Sequence, residues 1–239
     1  MSDATRQDGA PWRNLYGRRK GKRLRPGRQT LLETRLEALS APNVAPAANP
    51  ARSPLDLATL LPGVEEVWLE IGFGGGEHLV AEARANPRVG FIGAETFVEG
   101  VAKLLSAVER EGLERVRLHA GDARDLLDVL PEGGIGRAYL LYPDPWPKRR
   151  HRGRRFVDAA NLDALARALR PGAELRIATD IDAYAAHTLA AMRGRCEFEW
   201  LAEGPSDWRE PWPGWPGTRY EAKALRQGRR PTYLRFRRR

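Results

Sequence analysis

Apolar and polar positions change rhythm at about residue 64. Before it, "YGRRKGKRLRPGRQ" and "SAPNVAPAANPARSP" show no sustained period apart from "TLLETRLEAL". After it, short β-branched or apolar runs alternate with stretches of helical period. "VEEVWLEI" reads as a strand and "EHLVAEARAN" as a helix, followed by "RVGFIGAE" and "FVEGVAKLLSAVERE". The same order repeats with "RVRLHAG", "ARDLLDVL", "GRAYLLY", "FVDAANLDALARAL", "AELRIAT" and "DAYAAHTLAAMR". "CEFEWLAEG" and "PTYLRFRRR" read as two final strands with no helix-length amphipathic stretch between them, which predicts an antiparallel, hairpin-like closure. Strand and helix in alternation predict an α/β fold: a doubly wound, mostly parallel seven-stranded sheet of Rossmann-like type, with an antiparallel last strand. The expected organisation is a basic, flexible arm and linker over residues 1–50 and one domain over 51–239.

Composition narrows the function classes. The net charge of +9 is concentrated in residues 1–50, 148–155 and 229–239, each contributing +6, so the rest of the chain is acidic at −9. Three basic patches on an acidic body fit a polyanionic partner such as nucleic acid. A single cysteine, Cys196, and four scattered histidines leave no disulfide pair and no metal-ligand spacing, so no metal is expected. No apolar run approaches a membrane span and the N-terminus lacks a signal-peptide core, so the chain is expected to be cytoplasmic. Nothing in the sequence marks an obligate protein partner.

In open α/β sheets ligands sit at the carboxyl ends of the strands, so the residues there carry the chemistry. The first strand ends in "EIGFGGGEH", with Glu70, Gly72, Gly74 and Gly76 at alternate positions. A dinucleotide fingerprint needs a glycine where Glu77 stands, and two carboxylates here would repel a pyrophosphate, which argues against a nicotinamide cofactor. A cofactor with a positive centre and an ammonium group fits better. The pattern resembles the first motif of class I methyltransferases that use S-adenosylmethionine. That resemblance implies Glu95 as the acceptor for the ribose hydroxyls and Asp122 as the acceptor for the adenine amine, with the Ala123 backbone facing the ring.

The fourth strand leads into "YPDPWPKRRHRGRR", which sets Asp144 between two prolines and beside Trp146. Pro143 and Pro145 restrict the backbone on each side of the carboxylate. Trp146 is either a base-stacking surface or a packing residue. The cations that follow, Lys148 to Arg155, are placed to hold phosphates.

Taken together, "YPDPWPKRRHRGRRFV", "ATDIDAY", "TRYEAKAL" and "YGRRKGKRLRPGRQTLLE" resemble the bacterial tRNA (guanine-N7)-methyltransferases, which act on the variable-loop guanine numbered 46. The resemblance runs from about residue 15 to the end, except for the Pro/Ala linker. It implies tRNA as partner and Glu70, Glu95, Asp122 and Asp144 on the cofactor side, with Asp144 also the catalytic residue. It further implies Lys148, Asp180 and the run Thr218, Arg219, Tyr220 and Glu221 as tRNA or guanine contacts, with Arg150, Arg152, Arg154 and Arg155 along the RNA. Pro147 departs from the family, in which a polar residue follows the tryptophan. From the residues alone Asp180 could equally cap the helix "DAYAAHTL". The arm could order only on RNA or could cover the cofactor site; its glycines and Pro26 favour ordering on RNA. An RNA-binding module on a vestigial nucleotide fold is the main competing class, and the acids at three strand ends argue against it.

Overall fold

A computed structural model of the chain describes residues 13–17, 19–21 and 23–239. The first twelve residues of the expected arm, with Arg18 and Lys22, lie outside the described residues. The arm and linker carry α1 (Pro26–Thr34), α2 (Leu36–Leu39) and α3 (Leu57–Leu60). The body then runs β1 (Glu66–Ile71), α4 (Glu77–Ala85), β2 (Val89–Ala94), α5 (Val98–Glu111), β3 (Val116–His119), α6 (Ala123–Val129) and β4 (Ile135–Leu141). A 3-10 helix at Arg149–Arg154 precedes α7 (Ala159–Ala168), β5 (Leu169–Thr179), α8 (Asp182–Met192) and β6 (Phe198–Trp200). The chain ends with α9 (Ser206–Arg209), α10 (Arg219–Arg226) and β7 (Thr232–Arg238).

The seven strands form one sheet in the order β3-β2-β1-β4-β5-β7-β6. β3, β2, β1, β4 and β5 are parallel, and β7 runs antiparallel between β5 and β6. Strand order reverses between β1 and β4, and their registers end together at Ile71 and Leu140, which opens a crevice where these two carboxyl ends part.

Period-two alternation splits the core. On β1, Val67, Leu69 and Ile71 face the side covered by α6, α7 and α8, whereas Trp68 faces the side of α4 and α5. Both faces are therefore apolar, as an interior parallel strand requires. The same alternation turns Glu70 toward α4, with consequences for the site.

The segment between the last two strands corrects the sequence expectation. β6 is only three residues long, and α9 and α10 stand between it and β7. Helix α10 escapes a search for hydrophobic period because Ala224 is its one buried residue. Its signal is a capping box: the Thr218 hydroxyl accepts from the Glu221 N–H at 3.0 Å while the Glu221 carboxylate accepts from the Thr218 N–H.

Residues of the arm and linker join the core. Leu31, Leu32 and Leu36 pack onto the α5 side and Leu39, Ala41 and Val44 are buried. The Ala41 N–H donates to the Leu118 carbonyl at 2.8 Å, which covers the outer edge of β3.

Candidate active site

The crevice is a cavity of roughly 450 Å³ whose walls come from the carboxyl ends of β1 to β4. Gly72 and Gly74 supply the floor with φ of 70° and 58°, a left-handed backbone that favours glycine. Helix α5 packs directly on this turn: a Cβ at Gly100 would lie 2.0 Å from the Gly74 carbonyl oxygen.

Glu95 follows β2 and faces the cavity. Its Oε2 accepts from the Gly74 N–H at 2.7 Å, and its Oε1 accepts from the N–H groups of Thr96 at 2.7 Å and Phe97 at 2.8 Å. A carboxylate oxygen has two lone pairs, so Oε2 retains one for a ligand hydroxyl. Burial raises the carboxyl above its ordinary value against the pull of these N–H donors. Asp122 and Ala123 line the next wall. Asp122 caps α6 through the Arg124 N–H at 2.9 Å and also holds the Arg124 guanidinium, with Nε at 3.0 Å. Behind this turn burial lowers His119 to about 4, keeping it neutral, and its Nε2 has no hydrogen-bond partner among the described residues.

Two residues expected on the cofactor side lie behind the wall. Glu70 is 4% exposed, and its Oε2 lies 2.7 Å from Nδ1 of His78, itself 2% exposed. The side-chain alternation of β1 sends this carboxylate beneath α4. Gly76 has φ of 78° at the N-cap of α4, where an added Cβ would lie 2.7 Å from Leu104. Both residues shape the turn that carries Gly72 and Gly74. The sequence offered His78 as a signal for this role, eight residues from Glu70 and on the first turn of the helix.

Asp144 is exposed at the cavity's opening. The loop that carries it is strained: Tyr142 and Trp146 have φ of 50° and 42°, unusual for non-glycine residues. Such conformations persist only when their surroundings hold them. Arg155 supplies part of that hold. Rather than lying along the RNA-facing run, it is 5% exposed, donating from Nε to the Pro145 carbonyl at 2.9 Å and from Nη1 to the Ala183 carbonyl at 3.2 Å. Lys148, Arg150 and Arg152 are exposed. Arg154 turns back, with its guanidinium 4.5 Å from the centre of the Tyr16 ring and 5.2 Å from that of Trp146.

Tyr16 belongs to a segment that composition favoured as ordering only on RNA. The structure instead lays Leu15, Tyr16 and Gly17 along the cavity wall. Arg13 meets Asp125 at 2.9 Å and Asp128 at 2.8 Å, and the Asn14 carbonyl accepts from Arg124 at 2.8 Å. On the far side the Val98 N–H donates to the Arg19 carbonyl at 3.0 Å. The segment is pinned at both ends, and a Cβ at Gly17 would lie 3.3 Å from Asp144 Oδ2.

The remaining expected contacts divide. Asp180 does not cap α8, whose N-cap is Ile181; it accepts from Arg229 Nε at 2.6 Å. Thr218 is occupied as the cap of α10. Glu221 accepts from Trp215 Nε1 at 2.7 Å and from the Tyr233 hydroxyl, so both of its oxygens are engaged. Arg219 lies 3.6 Å from Glu77, and Tyr220 alone of the four lines the cavity, stacked on Tyr142 with ring centres 6.3 Å apart and planes at 21°. The sequence expectations name neither Tyr16 nor Tyr142, although each opens one of the segments that carry the family resemblance.

Among the described residues no group of three or more His, Cys, Asp or Glu side chains could hold a metal ion. Among them, too, no helix is long and apolar enough to cross a membrane.

Residues 64–234 match a family described as putative methyltransferase. The tRNA (guanine-N(7)-)-methyltransferase of Ruegeria sp. (strain TM1040) is 57% identical over 96% of this chain and 89% of its own length. Its counterpart in Roseobacter denitrificans is 56% identical over 99% of both. Among solved structures, the 16S rRNA methyltransferase KamB is 18% identical with a TM-score of 0.56, covering 75% of this chain and 91% of its own, a likeness of fold. With a sheet of class I methyltransferase topology, a glycine turn beneath its crevice and relatives of this identity over nearly the whole length, the chain belongs to the tRNA (guanine-N7)-methyltransferase family.

Proposed function

We propose that the chain transfers a methyl group from S-adenosylmethionine to N7 of guanine 46 in the variable loop of tRNA. The observation that carries the reading is Asp144, exposed at the mouth of the crevice next to the stacked pair Tyr142 and Tyr220, in a chain whose relatives over nearly its whole length are named tRNA (guanine-N(7)-)-methyltransferase. Residues 51–239 act as the catalytic domain, and the first fifty as an arm serving it, in the cytoplasm.

The residues present suit that cofactor. Glu95 keeps one free acceptor site for a ribose hydroxyl, and Asp122 takes the adenine amine in place of the Arg124 guanidinium it now holds. Gly72 and Gly74 let the backbone approach closely. When bound, S-adenosylmethionine supplies a methyl group activated by a sulfonium. Guanine N7 carries an in-plane lone pair and no proton, so the chain needs no strong base. As the bond from N7 to the methyl carbon forms and the sulfur–methyl bond breaks, S-adenosylhomocysteine would leave neutral and the positive charge would pass to the purine, where a carboxylate held beside it stabilises that charge. Asp144 has that role, and the Tyr142–Tyr220 stack offers an aromatic face for the purine plane. Lys148, Arg150 and Arg152 hold phosphates outside the crevice.

The test is incubation of the protein with methyl-labelled S-adenosylmethionine and unmodified tRNA, followed by digestion and identification of the labelled nucleoside. N7-methylguanosine, lost when guanine 46 is replaced by adenine, is the expected result. Label in another base would discard the acceptor, and absence of label from a protein that binds tRNA would leave a non-catalytic RNA-binding module.

A further inference from the structure

We infer that the solvent face of α10 and the turn after it form a second RNA-backbone surface, which grips the tRNA on the side of the cavity opposite the Arg149–Arg154 turn. The inference rests on the proposed tRNA substrate and extends it from Arg219, which the family resemblance already implies, to Lys223, Arg226, Arg229 and Arg230, which it leaves unassigned. Between Thr218 and Arg230 stand five cations, Arg219, Lys223, Arg226, Arg229 and Arg230, and one acid, Glu221. That acid is turned inward to Trp215 and Tyr233, so the outer face carries one sign only. Arg219, Lys223 and Arg226 fall at helix spacings of four and three, which puts them on one stripe about 10 Å long. Arg219 and Arg229 are tied to Glu77 and Asp180. Lys223, Arg226 and Arg230 are exposed with no carboxylate partner among the described residues.

Like charges at these spacings destabilise a helix whose one buried residue is Ala224, and a polyanion turns that repulsion into attraction. The position of the helix selects the polyanion. Tyr220, in its first turn, lines the same cavity as Arg154 of the 3-10 helix. An RNA strand that delivers a base between these two residues runs its flanking phosphates over one basic ridge on each side. A membrane would need apolar side chains to insert, and α10 exposes only Leu225 and Tyr220 as large hydrophobics.

The experiment measures binding of an unmodified tRNA transcript across a salt series for wild type and for the triple variant Lys223→Gln, Arg226→Gln, Arg230→Gln. A matched triple, Arg84→Gln, Arg88→Gln, Arg110→Gln, changes the net charge equally at the opposite end of the sheet. The α10 triple is expected to bind tRNA about tenfold more weakly near 0.1 M salt, with the slope of log affinity against log salt shallower by about 2. Its KM for tRNA rises while its affinity for S-adenosylhomocysteine, which also reports folding, stays at the wild-type value. Equal tRNA affinity in the α10 triple and wild type, or an equal loss in the matched triple, overturns the inference alone. Wild type that binds no tRNA overturns the proposed function and this inference with it. Binding to vesicles of phosphatidylcholine and phosphatidylserine that the α10 triple loses while keeping tRNA affinity would reassign the face to a membrane.

Discussion

The Arg155 guanidinium donates to the carbonyl oxygen of Pro145 at 2.9 Å and so ties the end of the basic run to the backbone immediately after Asp144. The arginine that looked like one more phosphate contact is the strut of the Asp144 loop. Arg155→Ala removes charge-assisted hydrogen bonds to the Pro145 and Ala183 carbonyls, which costs about 1.5–3 kcal/mol, and frees a loop that holds two unfavourable backbone conformations. Melting temperature and turnover should both fall, the latter about tenfold or more, while the salt slope of tRNA binding stays as in wild type. Arg152→Gln, at an exposed position, should do the reverse. Thermal unfolding and a salt titration of both variants separate the roles, and a shallower salt slope in Arg155→Ala at unchanged stability would return it to the RNA.

Asp144→Asn keeps the shape of the side chain and removes its charge. If the carboxylate stabilises positive charge developing on guanine, the single-turnover methylation rate should drop by about 10²–10³, and the affinities for tRNA and S-adenosylhomocysteine should stay within about threefold. A rate close to wild type would show that the charge has no part in the chemical step.

Tyr16 lines the cavity and sets its ring against the Arg154 guanidinium. Loss of a half-exposed cation–π contact is worth about 0.5–1 kcal/mol. Tyr16→Ala should therefore weaken S-adenosylmethionine binding about threefold to fivefold by calorimetry, and removal of residues 1–17 should weaken it further. Unchanged cofactor affinity in the truncated chain would assign this segment to RNA alone.

Glu174 governs an acid-sensitive contribution to stability. Burial pushes its carboxyl up, but hydrogen bonds from Arg235 at 2.9 Å and Arg176 at 2.8 Å, with their charges, outweigh it and hold the carboxyl at about 2 against an ordinary 4.5. A carboxyl whose folded value is the lower one stabilises the fold fully above the unfolded value and loses that contribution as the pH falls toward the folded one. The melting-temperature gap between wild type and Glu174→Gln should be widest at neutral pH and close between about pH 4.5 and 2. A gap that stays constant over that window would mean the two arginines act on Glu174 through packing.

The alternation of strands and helices, the glycine turn after β1, the acids after β2 and β3, and the Pro-flanked Asp144 are all legible in the sequence, because each depends on near neighbours in the chain. Period and turn chemistry need no knowledge of what lies across the sheet. Which charged groups already hold protein partners is set by the tertiary structure. Glu70 is claimed by His78, Asp180 by Arg229, Glu221 by Trp215 and Tyr233, and Arg155 by two backbone carbonyls. It also decided that the N-terminal segment lies on the cavity, through Arg13 and Asp125, which are 112 positions apart. A buried charge requires a partner, and that partner is supplied by whatever the fold brings near, often from far along the chain. Which candidates keep open valences for the reaction is therefore set by long-range packing, and a one-dimensional pattern carries no record of it.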